Sequence, residues 1–229
     1  NGAFAYVANE DSHTVSAYTI AASTGALTPV PGSPFAAGTD PFSVTVSPNG
    51  AFAYVANANT DNVSAYTITA STGALTPVPG SPFAAGSGSI SVTVSPNGAF
   101  AYVANDSSND ISAYTIAAST GALTPVPGSP FTAGLTPVSV TVSPNGAFAY
   151  VANEDSHTVS AYTIAASTGA LTPVPGSPFA AGTNPTSVAV SPDPAPVAVS
   201  IPTLSPTGCI LLALTLMVAV AVQRRRVSR

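Results

Sequence analysis

The sequence contains no lysine and no tryptophan, and it has one cysteine and one methionine. Its only four basic residues, Arg224, Arg225, Arg226 and Arg229, fall in the last six positions. Everything before them carries nine acids and two histidines, so a polyanionic partner is repelled and a nucleic-acid-binding role is excluded. The lone Cys209 lies in an apolar tail, which rules out disulfides and thiolate metal sites in the rest of the chain. Charged residues make up 6%, far below the usual quarter, so the exposed surface must consist of Ser, Thr, Asn and backbone. The apolar share of 45% is nevertheless enough to build a core.

What the chain has in abundance is itself. Asn-Gly-Ala-Phe-Ala-Tyr-Val-Ala-Asn begins at Asn1, Asn49, Asn97 and Asn145, a spacing of 48 residues, and residues 1–39 and 145–183 are identical. A period in this range points to propellers, kelch-type arrays or helical repeats. Strand chemistry decides between them. Ser43–Ser47 alternates with period two, and Ser47-Pro48-Asn49-Gly50 supplies a turn in which Pro presets φ and Asn and Gly accept positive φ. Ala51–Ala56 reads as the next strand, Asn57–Asn62 as a polar loop, Val63–Ile68 as a third strand and Ser71-Thr72-Gly73 as a tight turn. Leu75 to Phe83, broken by three prolines, fits a ragged outer edge strand. No stretch of the repeat has helical periodicity. The reading is all-β: a β-propeller of about four four-stranded blades over residues 1–192.

The chain opens inside a blade and its last clean repeat ends in an inner-type strand, Ser187–Pro192. That strand can complete the blade begun at Phe4 and close a four-blade ring. A start without Met or leader suggests instead a piece of a longer protein with a larger ring.

Tyr-Val-Ala-Asn at 6–9, 54–57, 102–105 and 150–153 resembles the signature of YVTN-type, lactonase-like propeller repeats. The surrounding pattern Ser-Pro-Asn-Gly, Val-Ser-Ala-Tyr and Thr-Gly-Ala-Leu-Thr-Pro-Val-Pro-Gly-Ser-Pro-Phe is similar across residues 1–192. The resemblance implies the fold. It also brings in lactonases and muconate-type cyclases, which act on anionic lactones through groups that hold negative charge. No Arg or Lys exists before residue 224 to take that role, and a ring repeating one environment is a poor place for unlike residues to converge. The expectation is therefore a non-catalytic binding or structural module facing an unknown surface ligand, with no catalytic residue assigned. A metal-assisted, lactonase-like hydrolase of a sugar or related lactone is the alternative.

If the propeller reading holds, Glu10, Asp11, Asp61, Asp106, Asp110, Glu154 and Asp155 in one set of loops and Asp40 in another emerge on the same face. Clustered carboxylates are hard-cation ligands, so these eight are the candidates for a Ca²⁺ site, weighed against plain solvated loops. No other cofactor is implied. His13 and His157 are one repeat position seen twice and read as loop residues. Asn9, Asn57, Asn105 and Asn153 read as strand ends bonded to loop backbone. Tyr6, Tyr18 and their equivalents read as core between blades with their hydroxyls paired.

Residues 193–200 read as a Pro-rich linker, and 209–222 as a short apolar transmembrane helix of fourteen residues ahead of Arg224, Arg225 and Arg226. The arginines place the propeller outside the cytoplasm. Ile201, Pro202, Thr203 and Leu204, with Gly208, the apolar run and the arginines, resemble the IPTL-CTERM sorting signals, which are similar to PEP-CTERM tails. Thr207 departs from that pattern, which has Trp there. The resemblance implies an exosortase-type partner, a membrane contact through 209–222 and display at the cell envelope or surface, with the tail either retained or processed.

Overall fold

The computed structural model describes residues 3–192, and all regular structure among them is β-strand. Blade 1 contains β1 (Phe4–Asn9), β2 (Thr14–Ile20), β3 (Leu27–Pro29) and β4 (Phe35–Ala36). Blade 2 adds an inner strand: β5 (Pro41–Val46), β6 (Phe52–Asn57), β7 (Asn62–Ile68), β8 (Leu75–Pro77) and β9 (Phe83–Ala84). Blade 3 repeats this as β10 (Ser89–Val94), β11 (Phe100–Asn105), β12 (Asp110–Ile116), β13 (Leu123–Pro125) and β14 (Phe131–Thr132). Blade 4 follows with β15 (Pro137–Val142), β16 (Phe148–Asn153), β17 (Thr158–Ile164), β18 (Leu171–Pro173) and β19 (Phe179–Ala180). All ladders are antiparallel, as in β6 against β7 with Tyr54 opposite Ala65.

The Ser-Pro-Asn-Gly hairpin turns are made by side chains as well as backbone. Ser47 Oγ donates to Asn49 Oδ1 at 2.6 Å and accepts the Phe52 N–H at 3.0 Å, while Gly50 takes φ +70°. The outer edge differs from the single strand expected there. Leu75 to Phe83 is two short pieces, both paired with β7. Pro77, Pro79 and Pro82 have no N–H to donate, so the ladder breaks, and Ser81 Oγ accepts the Ala65 N–H at 2.9 Å in the gap.

The blades face one another and bury what lies between. Phe52, Tyr54, Ala56 and Val63 of blade 2 meet Val92, Ala101, Val103 and Tyr114 of blade 3. Each fully buried Val or Phe there contributes about 1.5–3 kcal/mol.

Among the described residues the ring is not closed. Residues 187–192 form no strand, and among the described residues no hydrogen bond joins blade 4 to blade 1. Among the described residues blade 1 therefore has no inner strand, and the four blades form an open arc there. The linker, the apolar helix 209–222 and the sorting motif lie outside the described residues.

Candidate functional site

Two loops per blade, the β1–β2 type and the one leading to the next blade, meet on one rim, and the chain staples them together. In each case a side chain at the end of the first loop accepts the backbone N–H of a residue in the second. Asp61 Oδ1 takes Gly88 N–H at 2.8 Å, and Asn109 Oδ1 takes Thr136 N–H at 2.7 Å. His13 Nδ1 takes Asp40 N–H and His157 Nδ1 takes Asn184 N–H, both at 3.2 Å. All four acceptors adopt left-handed backbone, φ +51° to +58°, which Asn and Asp tolerate better than most residues. The histidines thus hold the position that Asp and Asn hold in the neighbouring blades. Each has a second option through the same nitrogen. Protonated, His13 Nδ1 faces Asp40 Oδ1 at 3.4 Å and His157 Nδ1 donates to the Glu154 carbonyl at 2.8 Å.

Below the loops, Asn57, Asn105 and Asn153 are completely buried. Asn57 Oδ1 accepts Gly38 N–H at 3.1 Å, and its Nδ2 donates to Asn62 Oδ1 and Ser64 Oγ. A Cβ on Gly38 would come within 2.6 Å of that amide, so glycine is required for the close approach. Asn153 repeats the arrangement with Gly134, Thr158 and Ser160. These side chains support the rim and do not face solvent. Tyr54 and Tyr102 are buried between blades, and burial pushes both phenols well above their ordinary pKa.

The eight acids reach the rim but do not converge. Asp61 is used as a staple. Asp110, the first residue of β12 rather than a loop residue, accepts from Asn105 Nδ2 at 2.7 Å. Asp40 accepts from Asn59, Asp106 from Ser107 and Asp155 from Thr136, each at 2.7 Å. Glu10, Asp11 and Glu154 have no side-chain hydrogen bond among the described residues. Among those residues no three His, Cys, Asp or Glu side chains group closely enough to hold a metal ion.

The residues that sequence reasoning missed lie where the loops enter the inner strands. Phe42, Ile90 and Val138 are each the extra residue of a β-bulge, between Pro41 and Ser43 and at the two equivalent sites. Bulges re-aim side chains and are frequent beside active sites. Phe42, at the entry to blade 2, is 56% exposed, and so is Leu135, on the loop entering blade 4. A signal was available: aligned on the 48-residue period, the blades differ at positions equivalent to 10–15 and 36–42 and almost nowhere else. Those positions are this rim. The propeller is repetitive everywhere except on the one face where its loops gather.

The model of the lactonase family, described as a seven-bladed β-propeller, matches residues 1–91 and 78–190. The chain belongs to this lactonase family. Among solved structures, a candidate 6-phosphogluconolactonase from Bacteroides uniformis is similar at TM-score 0.72 and 21% identity, over 81% of this chain and 53% of that one. A second candidate 6-phosphogluconolactonase, from Bacteroides fragilis, is similar at TM-score 0.68 and 21% identity, over 80% and 56%. The periplasmic gluconolactonase of Pseudomonas aeruginosa is similar at TM-score 0.66 and 19% identity, over 80% and 52%. The chain thus spans about half the length of these structures. No curated protein matches it.

Lactonase-family membership overturns the expectation that the chain is not an enzyme. It points to a hydrolase and away from a non-catalytic surface module. The argument from repetition is weakened for a physical reason: the rim loops vary in sequence between blades while the inter-blade packing does not, so unlike residues share one face.

Proposed function

We propose that the loop-bearing rim hydrolyses a lactone, and that the lactone is an uncharged sugar lactone or a close relative of one. Family membership supports the reaction class, and one observation carries the location: blades 2 and 3 diverge from each other and from the matching loops of blades 1 and 4 along this rim. The charge balance supports the substrate class. With no Lys or Arg before residue 224 and nine acids, the rim has nothing to neutralise a phosphate and would repel one. In the reaction, water adds to the lactone carbonyl carbon, the ring C–O bond breaks, and a hydroxy acid leaves. The groups able to take the water proton are the half-buried Glu154 and the exposed Asp155 and His157 in blade 4, and the exposed Glu10, Asp11 and His13 in blade 1. Backbone N–H groups of the bulged loop ends supply the donors for the oxyanion.

The proposal includes a setting. Residues 201–229 act as the sorting tail, with 209–222 in the membrane, an exosortase-type enzyme as partner and the propeller outside the cytoplasm. What supports this is the tripartite pattern of Ile201-Pro202-Thr203-Leu204, the apolar run and Arg224–Arg226.

The test is acid release from a panel of neutral and 6-phosphorylated sugar lactones by the full chain, with Ca²⁺ or with a chelator. Neutral lactones should turn over at least about tenfold faster than phosphorylated ones, and Glu154→Gln should lower kcat by roughly 10²-fold with an unchanged melting temperature. Absence of turnover on every lactone in both conditions refutes the assignment.

A further inference from the structure

Four side chains on the rim accept the same kind of backbone N–H, and in two of them the acceptor is an atom that a proton can silence. Asp61 and Asn109 take the N–H groups of Gly88 and Thr136 on a side-chain oxygen. His13 and His157 use Nδ1 for Asp40 and Asn184. That nitrogen accepts only while the imidazole is neutral with its hydrogen on Nε2; the protonated ring donates from both nitrogens. An imidazole takes up its proton near pH 6.5, where carboxylates are still ionised.

The two histidines lie in the same sequence, since residues 1–39 and 145–183 are identical, and the copies first differ at the residue each histidine holds: Asp40 in one, Asn184 in the other. In blade 4, His157 Nδ1 is 3.2 Å from the Asn184 nitrogen and 2.8 Å from the Glu154 carbonyl oxygen, a donor on one side and an acceptor on the other. One nitrogen cannot serve both at once. Neutral, it holds Asn184. Protonated, it bonds Glu154 in its own loop, and residues 181–186 have no titratable side chain to offer in exchange. The bond from the Ala181 N–H to the His157 carbonyl, at 2.9 Å, does not involve the ring and persists in both states. In blade 1, His13 Nδ1 lies 3.2 Å from the Asp40 nitrogen and 3.4 Å from Asp40 Oδ1, and the other carboxylate oxygen is fixed by Asn59 at 2.7 Å. A proton on His13 therefore exchanges a neutral bond for an ion pair with the same residue. The other acids of these loops, Glu10 and Asp11 beside His13 and Glu154 and Asp155 beside His157, belong to the histidines' own side of the latch and cannot draw the facing loop in.

We propose that His157 is a proton-operated latch on the rim, which holds the loop 181–186 when neutral and releases it when protonated. Residue 184 sets the response: Asn184 lets go where Asp40, its counterpart in blade 1, keeps hold. Acid then loosens the rim at blade 4 alone, because Asp61 and Asn109 keep the same charge between pH 8 and about 5.5 and go on accepting their N–H groups. The loop so freed faces Glu154, Asp155 and His157, so pH governs access to that part of the rim. The latch does not depend on what the rim binds, and it is read without substrate.

The test measures backbone order parameters by NMR on the isotope-labelled full chain in detergent at pH 8 and about pH 5.5. At Thr183 and Asn184 they should fall from about 0.85 to below about 0.6 on acidification, while Thr39, Asp40 and the loops held by Asp61 and Asn109 stay near the rigid value. Two variants borrow the neighbouring blades' own solutions. His157→Asn installs the residue that blade 3 uses at this position and should keep the loop ordered at both pH values. Asn184→Asp installs the partner found in blade 1 and should do the same with the histidine still free to titrate. Should His157→Asn fail to fold, Asn184→Asp, a change on an exposed loop, decides alone. The proposal is overturned if residues 183 and 184 are equally ordered at both pH values, if residues 39 and 40 loosen as much, or if the acid response survives in a folded variant.

Discussion

Blades 1 and 2 share nearly the same letters and live in different surroundings. Leu27 and Leu75 both begin a three-residue outer strand with the sequence Leu-Thr-Pro, yet Leu27 is 53% exposed and Leu75 5%. The strands form in both cases, so local pattern and turn chemistry suffice to specify the sheet. Burial is supplied by the neighbour. This is the energetic logic of repeat architectures, in which each unit's stability is its own plus that of the interfaces it makes. The sharpest way to break the comparison is to remove the same atoms in both settings. Leu123→Ala, inside the blade 2–3 junction, should cost about 2–5 kcal/mol, and Leu27→Ala less than about 1 kcal/mol in dilute protein. Denaturant titration measures both, and equal losses would mean that the junctions are not where the stability lies.

The contrast also explains what could be read from the sequence. The period, the alternation in Ser43–Ser47 and the Ser-Pro-Asn-Gly turns are local signals, and they placed the inner and middle strands of every blade from 2 to 4. The fate of Ser187–Pro192 was not a local matter. Its sequence is that of an inner strand, but a strand needs a partner ladder, and β1 lies at the opposite end of the arc. Leu75–Phe83 reads as one ragged strand because prolines are compatible with an edge; Ser81, which fills the gap they leave, gives no sign of that role in the sequence. The rim was half legible. Loop acids could be assigned to one face from topology, but which of them would be spent on hydrogen bonds depended on three-dimensional partners such as Asn59 and Thr136. The bulges at Phe42, Ile90 and Val138 require the register between two strands, which no pattern within one strand reveals.

A second probe of the same comparison uses the buried amides. Asn105, itself fully buried, donates to the half-buried Asp110 and the buried Ser112 and accepts from the buried Ser89. Its counterpart Asn9 donates to Thr14 and Ser16 but is only half-buried. Asn105→Ala strands those partners in a dry site and should cost about 2–3 kcal/mol, whereas water can replace the amide in Asn9→Ala, which should cost about 1 kcal/mol. Thermal melts of the two variants check this, and a larger effect at Asn9 would contradict the assigned burial.

The smallest effect at neutral pH becomes visible in alkali. Burial pushes the Tyr114 phenol up to about 12, with a minor push in the same direction from Asp110 and a hydrogen bond with Ser112 pulling the other way. The Tyr6 phenol is likewise pushed up to about 12 by burial. An unfolded tyrosine titrates near 10. The fold therefore prefers the neutral phenol, and its contribution to stability is complete below pH 10. As pH rises from 10 to 12 the unfolded chain gains phenolate first, so stability falls across that window and the contribution is gone above it. Tyr114→Phe removes the hydroxyl bonded to the Ala84 carbonyl, so it should cost about 1 kcal/mol at pH 7. Between pH 10 and 12 the same variant should lose less stability than the parent, because it has one fewer proton to give up. If both proteins lose stability with the same slope over that window, the phenol at this junction is not held neutral by its neighbours, and the tight inter-blade contact around it would have to be looser than its geometry implies.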